Sequence, residues 1–257
     1  MRVVLLVALL SGLVACSGDD RPAPGAAGTD RGLTGSVVVL AAASLTESFT
    51  ALGERFEQDN PGVDVQFSFA ASSELATQVT ERAPADVFAS ASTETMQQVV
   101  ETGAVAGEPR LFARNRLQIA VPPDNPGHVT SLTDLARADL TIALCAPEVP
   151  CGSAADQVFA AAGVTPAPDT LEADVKATVN KVRLGEVDAA LVYRTDVLAA
   201  GDDVLGIDFP ESRTAVNDYP VALLDAGPNP EAARAFVELV LSGAGRGTLS
   251  AAGFDLP

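Results

Sequence analysis

Short β-branched runs alternate with amphipathic stretches from Val37 onward, and this alternation restricts the fold more than any other feature of the chain. Val37-Val38-Val39-Leu40 reads as a buried strand, and a helix is expected from about Thr46 to Gln58. Val63 to Phe69 alternates with period two, and Glu74 to Glu81 then reads helical. Asp86 to Ala89 is a strand and Thr93 to Glu101 a helix. The order recurs with strands at Leu117–Val121, Leu140–Leu144 and Ala189–Tyr193, and helices at Ser153–Ala161 and Asp174–Leu184. Val175, Val179 and Val182 share one face of the latter. Extended chain follows at Val204–Phe209 and Tyr219–Leu224, then helices at about Glu231–Leu241 and Arg246–Ala252. Such a βαβα order implies mostly parallel sheets flanked by helices. We expect two α/β lobes, residues 36–116 plus 220–257 and residues 117–219. The chain would cross between them near Asn115–Val121 and Val216–Val221. Two extended crossings make a hinge, and the interlobe cleft is where a ligand would sit.

The N-terminus bears on compartment. Arg2, the apolar run Val3–Leu10 and small residues before Cys16 read as a secretory leader. The run falls well short of the roughly 18 apolar residues expected of a membrane span. Leu13-Val14-Ala15-Cys16 resembles a bacterial lipobox, which implies a leader of residues 1–15, cleavage before Cys16, acylation of its thiol and extracytoplasmic anchoring to the cell membrane. Ser17 to Gly35 has almost no large apolar residue and is expected to be a flexible tether.

Charge excludes some partners. With 34 Asp+Glu against 16 Lys+Arg, the formal net charge is −18. A chain so acidic repels nucleic acid and anionic headgroups, and it gains an anionic ligand only through short-range donors. Cys145 and Cys151 remain as an even pair, and an oxidising compartment favours a disulfide between them. Free thiols are the alternative. A metal site would need further ligands, and His128 is the only histidine.

Three strand-to-helix junctions are small and polar: Ala41 to Thr46, Phe69 to Ser73, and Val149 to Ser153. Helix starts carry unpaired N–H groups and the positive end of the helix dipole, which together favour an anion. Each serine also has a plainer reading. Ser44 with Glu47 fits a capping box, and Ser72 or Ser73 fits a cap. Gly243 to Gly247 lacks the Gly-Lys-Ser/Thr ending of a phosphate loop and reads as a helix-linking turn. Asp86 and Asp188 open buried strands and read as structural, and His128 reads as exposed.

Val39 to Thr46, Ser68 to Ala76, Ala83 to Phe88, Pro147 to Gly152, Asp174-Val175, Leu191-Val192-Tyr193 and Phe209-Pro210-Glu211 occur in an order that resembles the periplasmic molybdate-binding proteins. The resemblance covers Val37 to Phe254. It implies a two-lobed periplasmic-binding-protein fold and a monomeric, non-enzymatic carrier of molybdate, with tungstate alongside, that delivers to the membrane subunits of an ABC importer. It implies no cofactor and no residue that ligates a metal cation directly. The oxyanion would be held by Ser44 and Ser72 through hydroxyl and N–H, by the N–H groups of Cys151 and Val175, and by the Tyr193 hydroxyl. Family members often have Pro-Ala-Gly where this chain has Pro150-Cys151-Gly152. A backbone contact tolerates that change, and a disulfide from Cys145 would pre-order the N–H. A carrier of another tetrahedral oxyanion such as sulfate is the nearest alternative. A serine hydrolase is the alternative of another class, and it would need a base beside Ser44 or Ser72.

Overall fold

The computed structural model describes residues 32–257. The leader, Cys16 and the tether through residue 31 lie outside the described residues. The first unit runs β1 (Gly35–Ala42), α1 (Thr46–Asp59), β2 (Val63–Ala70), α2 (Ser72–Thr80), β3 (Val87–Ala89) and α3 (Thr93–Glu101). A long strand, β4 (Arg110–Val121), leads to β5 (Ile142–Cys145), α4 (Pro150–Ala162), β6 (Thr170–Glu172), α5 (Val175–Arg183), β7 (Ala189–Tyr193), α6 (Arg194–Ala200) and β8 (Leu205–Ile207). The chain returns through β9 (Val216–Leu223) and closes with α7 (Pro230–Leu241) and α8 (Gly243–Ala251).

The strands are ordered β2-β1-β3-β9-β4-β7-β5-β6, with β8 added on β4. Pairing is parallel where βα units succeed one another, at β1/β2, β1/β3, β5/β6 and β5/β7. It is antiparallel wherever β4 or β9 takes part, so the sheets are more mixed than the βαβα pattern predicts. Strand β4 changes partner along its length. Residues Arg110 to Arg116 pair with β9, whereas Leu117 to Ala120 pair with β7. One core surrounds Phe49, Phe56, Phe112 and Phe236, whose rings meet edge-on or tilted at 5.6–6.1 Å. A second gathers Ile119, Ile142, Val158, Val179 and Leu191, and it also takes in Ala43 and Ala71 from the loops after β1 and β2. The two lobes therefore touch where those loops end.

Several boundaries differ from the sequence expectation. The expected tether ends inside the fold: Leu33 packs on the first core, and the Gly35 N–H bonds Gly62 O at 2.9 Å. Helix α4 begins at Pro150 rather than Ser153, because proline is preset for the first helical position. Cys151 and Gly152 are thereby in a helix's first turn. The Gly243–Gly247 segment is not a turn but the start of α8, capped by the Ser242 hydroxyl on the Gly245 N–H. A Cβ at Gly245 would stand 2.2 Å from Val240 O, so glycine here permits close packing of α7 and α8. Strand β6 and helix α6 carried too weak a pattern to be expected.

Candidate functional site

The ends of β1, β2 and β7 and the starts of α4 and α5 converge on one small cavity of about 20 Å³. The space is small, and its lining consists mostly of small residues. Ser44, Ser72, Cys151, Val175 and Tyr193 all line it. All five are buried, with 1–4% exposure.

Neither serine is a helix cap. Ser44 lies in a one-turn 3-10 helix, Ala43–Leu45, and the residue at the N-cap of α1 is Leu45. Its hydroxyl instead meets the Tyr219 hydroxyl at 2.8 Å. Ser72 is the first residue of α2, whose N-cap is Ala71 with no side-chain bond. Its Oγ accepts the Ala91 N–H at 2.9 Å. Helix α4 likewise begins behind Val149 without a side-chain cap. First-turn N–H groups have no intrahelical acceptor, so the starts of α2 and α4 face the cavity with donors uncapped by side chains. Asp174 is the carboxylate in the lining, and its Oδ1 is turned to cap α5 through the Ala177 N–H at 2.8 Å.

Tyr193 ends β7, and its hydroxyl is a buried polar atom without a hydrogen bond among the described residues. Tyr219 and Asn217 stand close to it without completing one. Burial pushes this phenol well above its ordinary range, as do the charges of neighbouring groups. It stays protonated as a donor. An orphaned buried hydroxyl costs about 1–3 kcal/mol, which a ligand oxygen would recover.

The first turn of α4 is held by two restraints. Cys145 and Cys151 form a disulfide across six residues. A Cβ on Gly152 would lie 1.9 Å from Ala146 O and 2.9 Å from Cys145 O, so only glycine fits beneath that turn. Beyond the cavity, Lys176 on α5 binds both oxygens of Glu47 on α1, at 2.7 and 2.8 Å, linking the lobes. The same ammonium stands 3.3 Å from Asp196 Oδ1. Neither Asp196 oxygen accepts a hydrogen bond among the described residues, and burial pushes this carboxyl up to about 6 against the pull of Lys176.

A much larger hollow of about 490 Å³ shares Val149 and Pro150 with the small cavity. Its walls carry Glu94, Glu148 and Asp218, whose charge disfavours an anion. Asp86 and Asp188 are structural: Asp86 accepts the N–H groups of Val38 and Asn229, and Asp188 that of Thr141. His128 is exposed on its loop. No group of His, Cys, Asp and Glu among the described residues is arranged to hold a metal ion. No helix among them is long and apolar enough to cross a membrane. Sequence reasoning missed Tyr219, Asn217 and Asp196. Nothing local distinguishes a tyrosine on a strand that bonds a serine from one that fills a core.

The profile of the family described as bacterial extracellular solute-binding protein matches residues 37–255. The molybdate-binding protein ModA of Mycobacterium tuberculosis is 45% identical over 249 residues, 97% of this chain and 95% of that protein. The periplasmic molybdate-binding protein of Azotobacter vinelandii superposes with a TM-score of 0.76 at 20% identity, over 86% of this chain and 99% of that one. The sulfate-binding protein SubI of Mycobacterium tuberculosis superposes at 0.75 with 17% identity, over 86% of each chain. At such identity the last two establish the two-lobed fold alone. By its sequence match across nearly the whole folded part, this chain belongs to the bacterial extracellular solute-binding proteins.

Proposed function

We propose that this protein binds molybdate, and tungstate with it, in the 20 Å³ cavity and delivers the anion to an ABC importer. The observation that carries the reading is the cavity's lining: two serine hydroxyls, uncapped helix-start N–H groups and an unpaired phenol meet around one small space. Ser44 and Ser72 act through hydroxyl and N–H, Cys151 and Val175 through N–H, and Tyr193 through its hydroxyl. Hydrogen bonds to a charged acceptor are roughly twice as strong as neutral ones, so several hold a dianion without a salt bridge. The 45% identity to a protein named for molybdate binding supports the choice of ligand.

The lobes of residues 36–116 plus 220–257 and 117–219 close on the anion about β4 and β9. Closure buries it and presents one loaded surface to the importer. The carrier acts as a monomer tethered through acylated Cys16. Ser44 and Ser72 are binding rather than nucleophilic groups, since each bonds a phenol or an amide and neither bonds a histidine or lysine.

Calorimetric titration with molybdate, tungstate, sulfate and phosphate tests the reading. Tight binding of the first two, weaker sulfate and rejected phosphate are expected. Sulfate as the tightest ligand would transfer the assignment to sulfate, and no heat with any of the four would remove it. For the anchor, Cys16→Ser should abolish membrane partitioning, and unchanged partitioning would remove the lipid.

A further inference from the structure

A further hollow, of about 330 Å³, lies where β4 changes partner, and it shares no lining residue with either space described above. Arg116 is the last residue of β4 to pair with β9 and Leu117 the first to pair with β7, and both line the hollow. Beside them stand Arg194, the first residue of α6, and Arg213, in the 3-10 helix Pro210–Thr214. Three arginines thus face one space on a chain in which acids outnumber bases by 34 to 16. Phe209 and Pro210, which carry part of the family resemblance, form its wall and take no part in the small cavity. We propose that this hollow is a second binding site, for a small organic anion with at least two negative charges, a polycarboxylate or a phosphate ester. The inference is independent of the oxyanion reading, since it concerns another space and other residues.

The three cations are not equally engaged. Arg116 Nε donates to Asp255 Oδ2 at 3.0 Å. Arg194 and Arg213 form no salt bridge among the described residues. The one carboxylate in the lining, Asp208, accepts Gln118 Nε2 at 2.8 Å. Even with Asp255 counted, three guanidinium groups face two carboxylates, and the two unpaired arginines are left for a ligand. Gathering like charges around one space costs free energy, which an anion between them removes.

The donor type sets the ligand class. A guanidinium presents its N–H groups in a planar fork that matches two oxygens of a carboxylate or phosphate. The volume lies at the lower end of the roughly 300–1,000 Å³ of small-molecule sites. Buried Leu117 and Phe209 give the hollow an apolar floor, which suits a short carbon skeleton between the charges. Arg213 is exposed and Arg194 half-buried, so a ligand enters from solvent. The net charge of −18 opposes any approaching anion, but salt screens that field beyond about 8 Å, and the forks act at shorter range.

Calorimetric titration with citrate and with glycerol 3-phosphate tests the site, and the two probes separate carboxylate from phosphate recognition. Wild-type protein should bind at least one with a Kd of about 1 mM or tighter, before and after saturation with molybdate. Ser72→Asp, whose change lies in the small cavity, should bind the probe as wild type does. Arg213→Gln should weaken the probe by about threefold or more, with molybdate affinity unchanged. Arg194→Gln/Arg213→Gln should weaken it by about tenfold or more. Asp208→Asn removes the carboxylate from the lining and should tighten the probe by about twofold. Should the double variant not fold, the opposite signs at the exposed positions Arg213 and Asp208 carry the test. No heat with either probe, a probe displaced by molybdate, or an affinity indifferent to both Arg213→Gln and Asp208→Asn would overturn the site. A protein that binds the probe but no molybdate would leave this site standing and remove the oxyanion reading.

Discussion

The lobe built on β1 to β3 meets the cavity with side chains, Ser44 and Ser72. The lobe built on β5 to β7 adds Cys151, Val175 and Tyr193, of which the first two are proposed to act through main chain. The serine side is held through hydrogen bonds to Tyr219 and Ala91. The main-chain side is held through covalent and steric restraint, namely the Cys145–Cys151 disulfide and the lack of space at Gly152. The difference teaches where each wall is vulnerable. On one wall the identity of the lining residue matters. On the other, the proposed contacts depend on the backbone path rather than on the lining side chain.

The largest effect is expected on the serine wall. Ser72→Asp sets a carboxylate against the dianion and should abolish measurable binding. Ser44→Ala and Ser72→Ala each remove one hydrogen bond to a charged ligand, about 1.5–3 kcal/mol, and should weaken molybdate roughly ten- to 150-fold. Titration of the three variants, with far-UV circular dichroism to verify folding, checks this. Wild-type affinity in Ser72→Asp would show that the anion sits elsewhere.

On the main-chain wall the sensitive position is one that cannot touch the ligand. Gly152→Ala drives a methyl into the Ala146 carbonyl and should cost about 1–3 kcal/mol of stability. Affinity should fall with it, as the Cys151 N–H is displaced. A variant as stable and as tight as wild type would mean that the α4 turn has slack that this packing denies it.

Asp196 sharpens the comparison from behind the phenol. Its folded value of about 6 lies above the ordinary 3.8 of an aspartate. A raised carboxyl stabilises the fold at low pH, and that contribution is lost as pH climbs from about 4 through 6. The loss is on the order of 3 kcal/mol at neutral pH. Asp196→Asn should therefore gain on wild type in urea midpoint between pH 5 and 7.5, with Lys176 still held by Glu47. A constant difference across that range would place the Asp196 titration outside it.

The smallest effect is expected from the disulfide. Its loop is short, so the stability lost in Cys145→Ala/Cys151→Ala should fall below the roughly 3 kcal/mol of a 15-residue loop. Affinity should weaken less than in either serine-to-alanine variant. A larger loss would show that the crosslink, and not Gly152, sets the α4 turn.

Much of this was legible in the sequence. Period-two and helical spacing placed most strands and helices. Small polar junctions marked Ser72 and Cys151 as helix-start residues and Ser44 as a residue of the turn leading into α1, because local chain stiffness and helix-end chemistry act within a few residues. Proline's preset φ moved the start of α4 to Pro150, and packing against α7 drew Gly243–Gly247 into a helix. What only the tertiary structure decided is which groups meet the donors. Ser44 and Tyr219 are 175 residues apart, and Asn217 and Ala91 are 126 apart. Asp196 is buried by elements distant in the chain. Hydrogen-bond partners and burial depend on atoms that the fold alone brings together, and no local pattern records them.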